Sequence, residues 1–271
     1  DPEIFYDFTE TRPRVRITGG SVRRLTWPAN RFYVRKAERT EEGPRQRDLV
    51  LLLGEEPQLR WKTYAQEVLE VCQRCNVKDV ALLGALVAEV PHTLPVRISG
   101  TASEQKVLRR MERAQIERAN YEGTSGILTV VQDLVRRNGM STVSLWGTAP
   151  HYVSATPNLP VSEALLEKLS AHYSLDLRLQ DLEKAARRFT ARVTSLVAAD
   201  PEVSAYVREL EQRTIEEGSE GTLGTPLAGD ASGVHRIPMD GELPTAEQAI
   251  QDIEQWLRQQ NRGDAGDTGE A

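Results

Sequence analysis

The chain reads as an α/β protein: a mixed, mostly parallel sheet between helices, followed by a helical C-terminal region. Three observations carry that reading. Short apolar runs, Leu49 to Leu53 and the one that begins the stretch Asp79 to Thr93, suit strands covered on both faces. A stretch with helical spacing, Trp61 to Arg74, lies between them, so strand, helix and strand follow one another as in a right-handed crossover with parallel pairing. Beyond residue 157 the apolar positions recur at three and four residue steps and no further strand pattern occurs.

Taken in order, the first residues look strand-like. Arg14 to Ile17, Arg23 to Trp27 and Arg31 to Val34 then alternate apolar and polar side chains, and Gly19-Gly20 supplies a turn, which predicts an antiparallel hairpin or meander. Leu49 to Leu53 is expected to be a buried strand ended by Gly54. Pro57 to Trp61 opens a helix with Tyr64, Val68, Leu69 and Cys72 on one face. Asp79 to Ser103 is expected to supply the central strand and a loop at its carboxyl end, the place where open α/β sheets set ligands. Val96 to Ser99 makes a short strand, and Ser103 is a natural N-cap for the helix that follows. A Gly-bearing turn, Tyr121 to Gly126, precedes a helix over Ile127 to Arg137, and Asn138-Gly139 ends it before the strand Ser141 to Tyr152.

Pro157 and Pro160 break the chain. Leu165, Leu166 and Leu169 mark one helix; Leu182, Ala186, Phe189, Val193 and Leu196 mark a longer one. Asp200-Pro201 starts another, with cap and first-turn proline in their favoured places. The expected organisation is an α/β core over 1–157, a helical extension over 158–217, a linker over 218–243, a terminal helix over 244–260 and a disordered tail over 261–271.

Hydrophobic residues at 39% and charged residues at 27% exclude a predominantly disordered chain, and a net charge of -6 argues against a general nucleic-acid backbone binder. No run reaches membrane-spanning length and the start carries no apolar signal segment, so no membrane partner and a cytoplasmic address are expected. The two cysteines, Cys72 and Cys75, lie near the end of a helix, where the dipole disfavours a thiolate, and zinc would lack two further ligands. They read as buried, structural thiols. No metal and no cofactor is expected.

The candidate pocket or functional-loop residues are His92, Thr93, Gly100, Thr101, Gly123, Gly126, His151 and Tyr152. His92 and His151 each follow a proline at the end of an expected strand and precede a hydroxyl residue. Parallel neighbours would bring both imidazoles to one sheet edge, where a histidine beside a hydroxyl can act as a general base. The competing reading is that each imidazole ties down its own loop. Gly100-Thr101 stands before a helix, where backbone N–H groups can cradle an anion, and Gly123 and Gly126 allow backbone angles or close approaches that a side chain would forbid. No Walker loop, Rossmann glycine fingerprint, nucleophile elbow or zinc-protease motif is present in the sequence, and no catalytic residue is assigned.

Four segments together resemble the bacterial, especially actinobacterial, branch of the PAC2 family, named for proteasome assembly chaperone 2. They are Glu56 to Trp61, Val90 to Pro95, Tyr121-Glu122-Gly123 with Gly126, and Pro150 to Ala155 with Pro157. The resemblance spans roughly the whole chain. It implies a phosphorylase/hydrolase-like α/β fold and frequent homo-oligomers. Eukaryotic members help assemble proteasome α-subunits, so proteasome subunits enter as partners by family analogy, while some bacterial and archaeal members carry a loose ATP-grasp or carboxylate-amine ligase label that no motif here supports. Leu94 stands where the family commonly has Arg, and Thr124 where it commonly has Pro. Relatives also begin with a strand, a Gly-rich turn and a helix ahead of the position of Asp1; the sequence lacks that unit, and Asp1 is read either as a processed start or as a fragment end.

Two functions follow from these readings. The first is a noncatalytic, chaperone-like assembly or interaction protein that binds a protein partner or itself. The alternative is a small-molecule binder or enzyme with His92 and His151 lining a pocket, on a nucleoside phosphorylase-like fold, or a carboxylate-amine ligase of the ATP-grasp type that the family is loosely labelled with.

Overall fold

The computed structural model describes residues 1–37, 47–153 and 157–218. The linker, terminal helix and tail expected from 219 onward lie outside the described residues. The elements run in the order α1 (Pro2–Phe5), β1 (Arg14–Thr18), β2 (Ser21–Thr26), β3 (Asn30–Arg35), β4 (Leu49–Gly54), α2 (Trp61–Arg74), β5 (Asp79–Ala88), β6 (Ile98–Ala102), α3 (Gln105–Arg113), β7 (Glu117–Arg118), α4 (Ile127–Arg137), β8 (Ser141–Pro150), α5 (Leu159–Tyr173), α6 (Gln180–Ala198) and α7 (Pro201–Gly218). The fold is mixed α/β, as the apolar pattern predicts. The start differs: Asp1 caps the turn of α1 by accepting from the Glu3 N–H, with Pro2 in the first turn, so the first residues are helical and not strand-like.

Among the described residues three sheets hold the strands. β1 and β2 form the expected antiparallel hairpin, with a register shift between Arg16 and Ile17, and Gly19 and Gly20 at φ of 59° and 75° make its turn. β3 and β4 pair antiparallel, Asn30 opposite Gly54 and Arg35 opposite Leu49. The four-stranded sheet has the order β5-β8-β6-β7. Along β5 and β8 the bonds Ser141 N–H to Lys78 O and His151 N–H to Ala88 O advance in the same direction, which makes that pair parallel. Ser103 N–H to Thr142 O and Thr148 N–H to Arg97 O advance oppositely, so β8 and β6 are antiparallel; β6 and β7 are parallel.

Two expectations about strand placement fail. The central strand is β8, flanked on both sides and buried along nearly its whole length, while β5 sits at the sheet's edge with Leu83 and Val87 exposed. β4 ladders with β3, not in parallel with β5, and it is not buried: Leu51 and Leu53 are about half exposed. Apolar composition reports what a strand can tolerate on its faces, not its rank in the sheet.

The described chain divides into two compact units, each assembled from several segments. Within the described residues the first comprises 1–84, 99–146 and 168–176, and the second comprises 85–98, 147–167 and 177–218.

The first unit's core lies between α2 and α4. Tyr64, Ala65, Val68, Leu69 and Cys72 on one helix and Ile127, Val131 and Val135 on the other bury their faces with Leu82. These are the positions helical spacing selects. Both helices also keep their predicted bounds. Cys72 is buried, and burial raises its thiol pKa, but Cys75 at the end of α2 is exposed, so only one of the two expected buried thiols is buried. Ser103 does not cap α3, since its Oγ accepts from the Thr142 N–H at 2.9 Å and Glu104 takes the N-cap position.

The second unit's main helical core joins Tyr152 to Phe189, Val193 and Val197 of α6 and Val207 and Leu210 of α7. Asp200 makes the corner between the two helices: its carboxylate accepts from the N–H groups of Glu202 at 2.9 Å and Val203 at 3.3 Å. Ser204 Oγ donates to the Val197 carbonyl at 2.8 Å, which also accepts from the Asp200 N–H at 3.2 Å.

Candidate functional site

His92, Thr93, His151 and Tyr152 all belong to the second unit and come together there. β5 ends at Ala88 and β8 at Pro150, so parallel pairing delivers the two Pro-His turns to one end of the sheet. His151 stays at that end because its N–H donates to Ala88 O at 3.1 Å and its Nδ1 lies 3.3 Å from the same carbonyl. Its Nε2 is 3.2 Å from the Tyr206 hydroxyl. A carbonyl only accepts, so Nδ1 carries the proton and Nε2 accepts from Tyr206.

Tyr152 is almost wholly buried, and its hydroxyl joins the two turns. It accepts from the backbone N–H of His92 at 2.7 Å and lies 2.7 Å from His92 Nδ1. Thr194 Oγ1 donates its proton to the Thr190 carbonyl at 2.9 Å, so it accepts from His92 Nε2–H at 3.1 Å, and Nδ1 of the neutral ring accepts from the Tyr152 hydroxyl. Burial lowers the His92 pKa below the ordinary 6.5, with the Glu211 carboxylate opposing, so the ring is neutral at pH 7. Burial also pushes the Tyr152 phenol well up, which keeps it a donor.

The loop after β5 is further fixed by charge. Thr93 Oγ1 donates to Glu211 at 2.5 Å, and Arg213 bridges Glu89 at 2.7 Å and Glu209 at 3.1 Å. Both ring nitrogens of His92 are thus engaged and the Thr93 hydroxyl is committed to a carboxylate. The imidazole could take a proton from an incoming group only after one of those bonds broke.

The glycine-bearing candidates belong to the first unit. Gly100 and Thr101 lie within β6, not at a helix N-terminus, and a Cβ on Gly100 would come 2.3 Å from the Ser144 carbonyl oxygen, so this glycine permits close strand packing. Gly126 is the N-cap of α4, but Glu56 occupies that terminus by accepting from the Ile127 N–H at 2.8 Å. The anion at this helix end is the chain's own carboxylate. A Cβ on Gly123 would meet the Tyr121 ring. A cavity of about 570 Å³ in the first unit is lined by none of the eight candidates. Among the described residues no group of three or more His, Cys, Asp or Glu side chains could hold a metal ion, and no helix is long and apolar enough to cross a membrane.

Thr194, Tyr206, Glu211 and Arg213 escaped the sequence reading. Tyr206 was legible as part of an apolar stripe, but its hydroxyl's partner was not, and Thr194 carries no motif at all. Their only signal is position, on the two helices that the Asp200 corner folds together.

The PAC2 family model matches residues 1–197. Among solved structures, the chain is similar to a PAC2 family protein from Streptomyces avermitilis, with 38% identity, TM-score 0.65, and 76% of this chain and 84% of that one covered. It is similar to a proteasome-assembly chaperone homologue from Mycobacterium tuberculosis, with 35% identity, TM-score 0.65 and the same coverage. A second M. tuberculosis protein, of unknown function, shares the fold at 23% identity and TM-score 0.69, over 81% of this chain and 72% of that one. Comparison with curated proteins finds no match.

Proposed function

The chain belongs to the PAC2 family, and from that premise we propose that it is a noncatalytic assembly or interaction protein acting in the cytoplasm, engaging a protein partner or a second copy of itself. One observation carries the reading: the first unit leaves a large apolar surface exposed on β1 to β4. On the hairpin, Val15 stands opposite Leu25 and Ile17 opposite Val22, and each of the four is more than half exposed. On the second pair, Phe32, Val34, Leu51 and Leu53 are also exposed. β4 is apolar on both faces, with Val50 and Leu52 alternating with Leu49, Leu51 and Leu53, a pattern that suits a strand covered on both sides. Phe32 and Val34 lie on one face of this ladder and Leu51 and Leu53 on the other, so both faces carry exposed apolar side chains, and exposed apolar groups of this kind mark protein interaction sites.

Two further points support it. The M. tuberculosis relative at 35% identity is a proteasome-assembly chaperone homologue. The His92 and His151 networks close on the chain's own atoms, which fits loop-holding better than proton transfer.

Sedimentation velocity of the full chain, alone and mixed with proteasome α-subunits, tests the proposal. A species well above the 30.3 kDa monomer is expected in at least one of the two samples. A monomer in both would overturn it.

A further inference from the structure

Helix α3 carries Lys106, Arg109, Arg110 and Arg113 at the spacing i, i+3, i+4, i+7, which sets four cations on one helix face. Like charges at these spacings repel, so the stripe is locally unfavourable. Glu112 on the same helix pairs with Arg118 at 2.5 Å, and among the described residues no carboxylate is ion-paired to Lys106, Arg109 or Arg113. The face lines the cavity of about 570 Å³, together with Arg47, Asp79, Glu104, Val107 and Ser141. Five cations there meet two carboxylates, an excess of three positive charges in a chain whose net charge is -6.

Two of the cations are held in place. Arg47 pairs with Asp79 at 2.8 Å and lies over the Tyr173 ring, 5.8 Å from its centroid. Arg110 donates to Nε2 of the buried His172 at 2.8 Å. Because a guanidinium only donates, His172 is neutral with its proton on Nδ1, and that buried atom has no protein partner. The remaining three cations reach into the cleft from an exposed helix face.

We infer that this cleft binds a small polyphosphate. Guanidinium forks match phosphate oxygens bidentately, and the volume falls within the range of about 300–1,000 Å³ usual for small-ligand sites. An acidic peptide is the weaker fit, since a peptide groove needs apolar anchor pockets and Val107 is the one apolar residue in this lining. The inference is independent of the assembly function.

Isothermal titration calorimetry of the full chain with inorganic tripolyphosphate is the test, run at low and at raised salt. Saturable binding that weakens with salt is expected, and the double variant Arg109→Ala with Arg113→Ala should weaken it by about tenfold or more, since each loses a charge-assisted hydrogen bond. Both residues are exposed, so the variant's circular dichroism and melting temperature should match the parent's, and Lys62→Ala on α2, outside the cleft, should bind as the parent does. In parallel titrations, ATP tighter than tripolyphosphate identifies a nucleotide as the source of the phosphates, and equal affinity identifies the bare polyphosphate. No heat with tripolyphosphate, binding unchanged in the double variant, or binding of a poly-glutamate peptide in its place would each overturn the inference.

Discussion

Replacing Tyr152 with Phe isolates the hydroxyl that ties the two Pro-His turns together. The ring stays, so its packing against Phe189 and Val193 is retained and no cavity opens. What disappears is one acceptor for the His92 N–H and one donor to His92 Nδ1, both at 2.7 Å. Each such bond contributes about 1 kcal/mol net, and an amide left unpaired in a partly buried site adds a desolvation cost, so a loss of about 1–3 kcal/mol is expected. Read by urea unfolding with a slope of about 3 kcal/mol per molar, the midpoint falls by roughly 0.3–1 M. Tyr206→Phe removes a single, longer bond of 3.2 Å to His151 and should cost less. Long-range nitrogen–proton NMR on the imidazoles provides the second readout. His92 is expected as the Nε2–H tautomer in the parent protein, with that preference weakened in the variant. An unchanged urea midpoint together with an unchanged His92 spectrum would refute the derived network.

Four other outcomes follow from the same structure. His92 and His172 both have pKa values lowered by burial, so between their folded values and 6.5 the unfolded chain binds more protons; stability should be flat in these groups above pH 6.5 and fall as the pH drops below it, with the His92 NMR midpoint under 6.5. Asp200→Ala removes two cap bonds at the α6–α7 corner and should cost about 1 kcal/mol in denaturant unfolding. Gly100→Ala sets a methyl against the Ser144 carbonyl of the central strand and should destabilise by about 1–3 kcal/mol or more, visible as a lowered melting temperature. A thiol reagent should label exposed Cys75 at once and buried Cys72 only as the chain unfolds.

Much of this structure was legible in the sequence, and the failures share a cause. α2 and α4 were read with the observed bounds because a buried face at helical spacing, Tyr64 to Cys72 and Ile127 to Val135, is a local property of the chain. The His92 and His151 turns each follow a strand, and the parallel pairing of β5 with β8 brings those strand ends together. Strand rank was not legible: β5 and β8 are both long and apolar, and only the sheet decides which has two neighbours. Nor were the partners of each polar atom. Ser103 has the composition of an N-cap, yet tertiary structure offers it the Thr142 N–H instead. The α3 cation stripe lay open to view at its i, i+3, i+4, i+7 spacing, but nothing local told a solvated face from the wall of a cleft.

The exposed face of the β1-β2 hairpin is the proposed interface. Val22 and Leu25 are 67% and 54% exposed, so Val22→Asp with Leu25→Asp should change the isolated fold little, within about 0.5 kcal/mol for each substitution. Buried in an interface, the same carboxylates would lose their hydration without a partner, which costs several kcal/mol and abolishes association. Sedimentation velocity of this double variant, beside the parent and under conditions where the parent assembles, is the direct measurement. A folded variant that runs as a 30.3 kDa monomer is the predicted result, and a variant that assembles as the parent does would contradict the account.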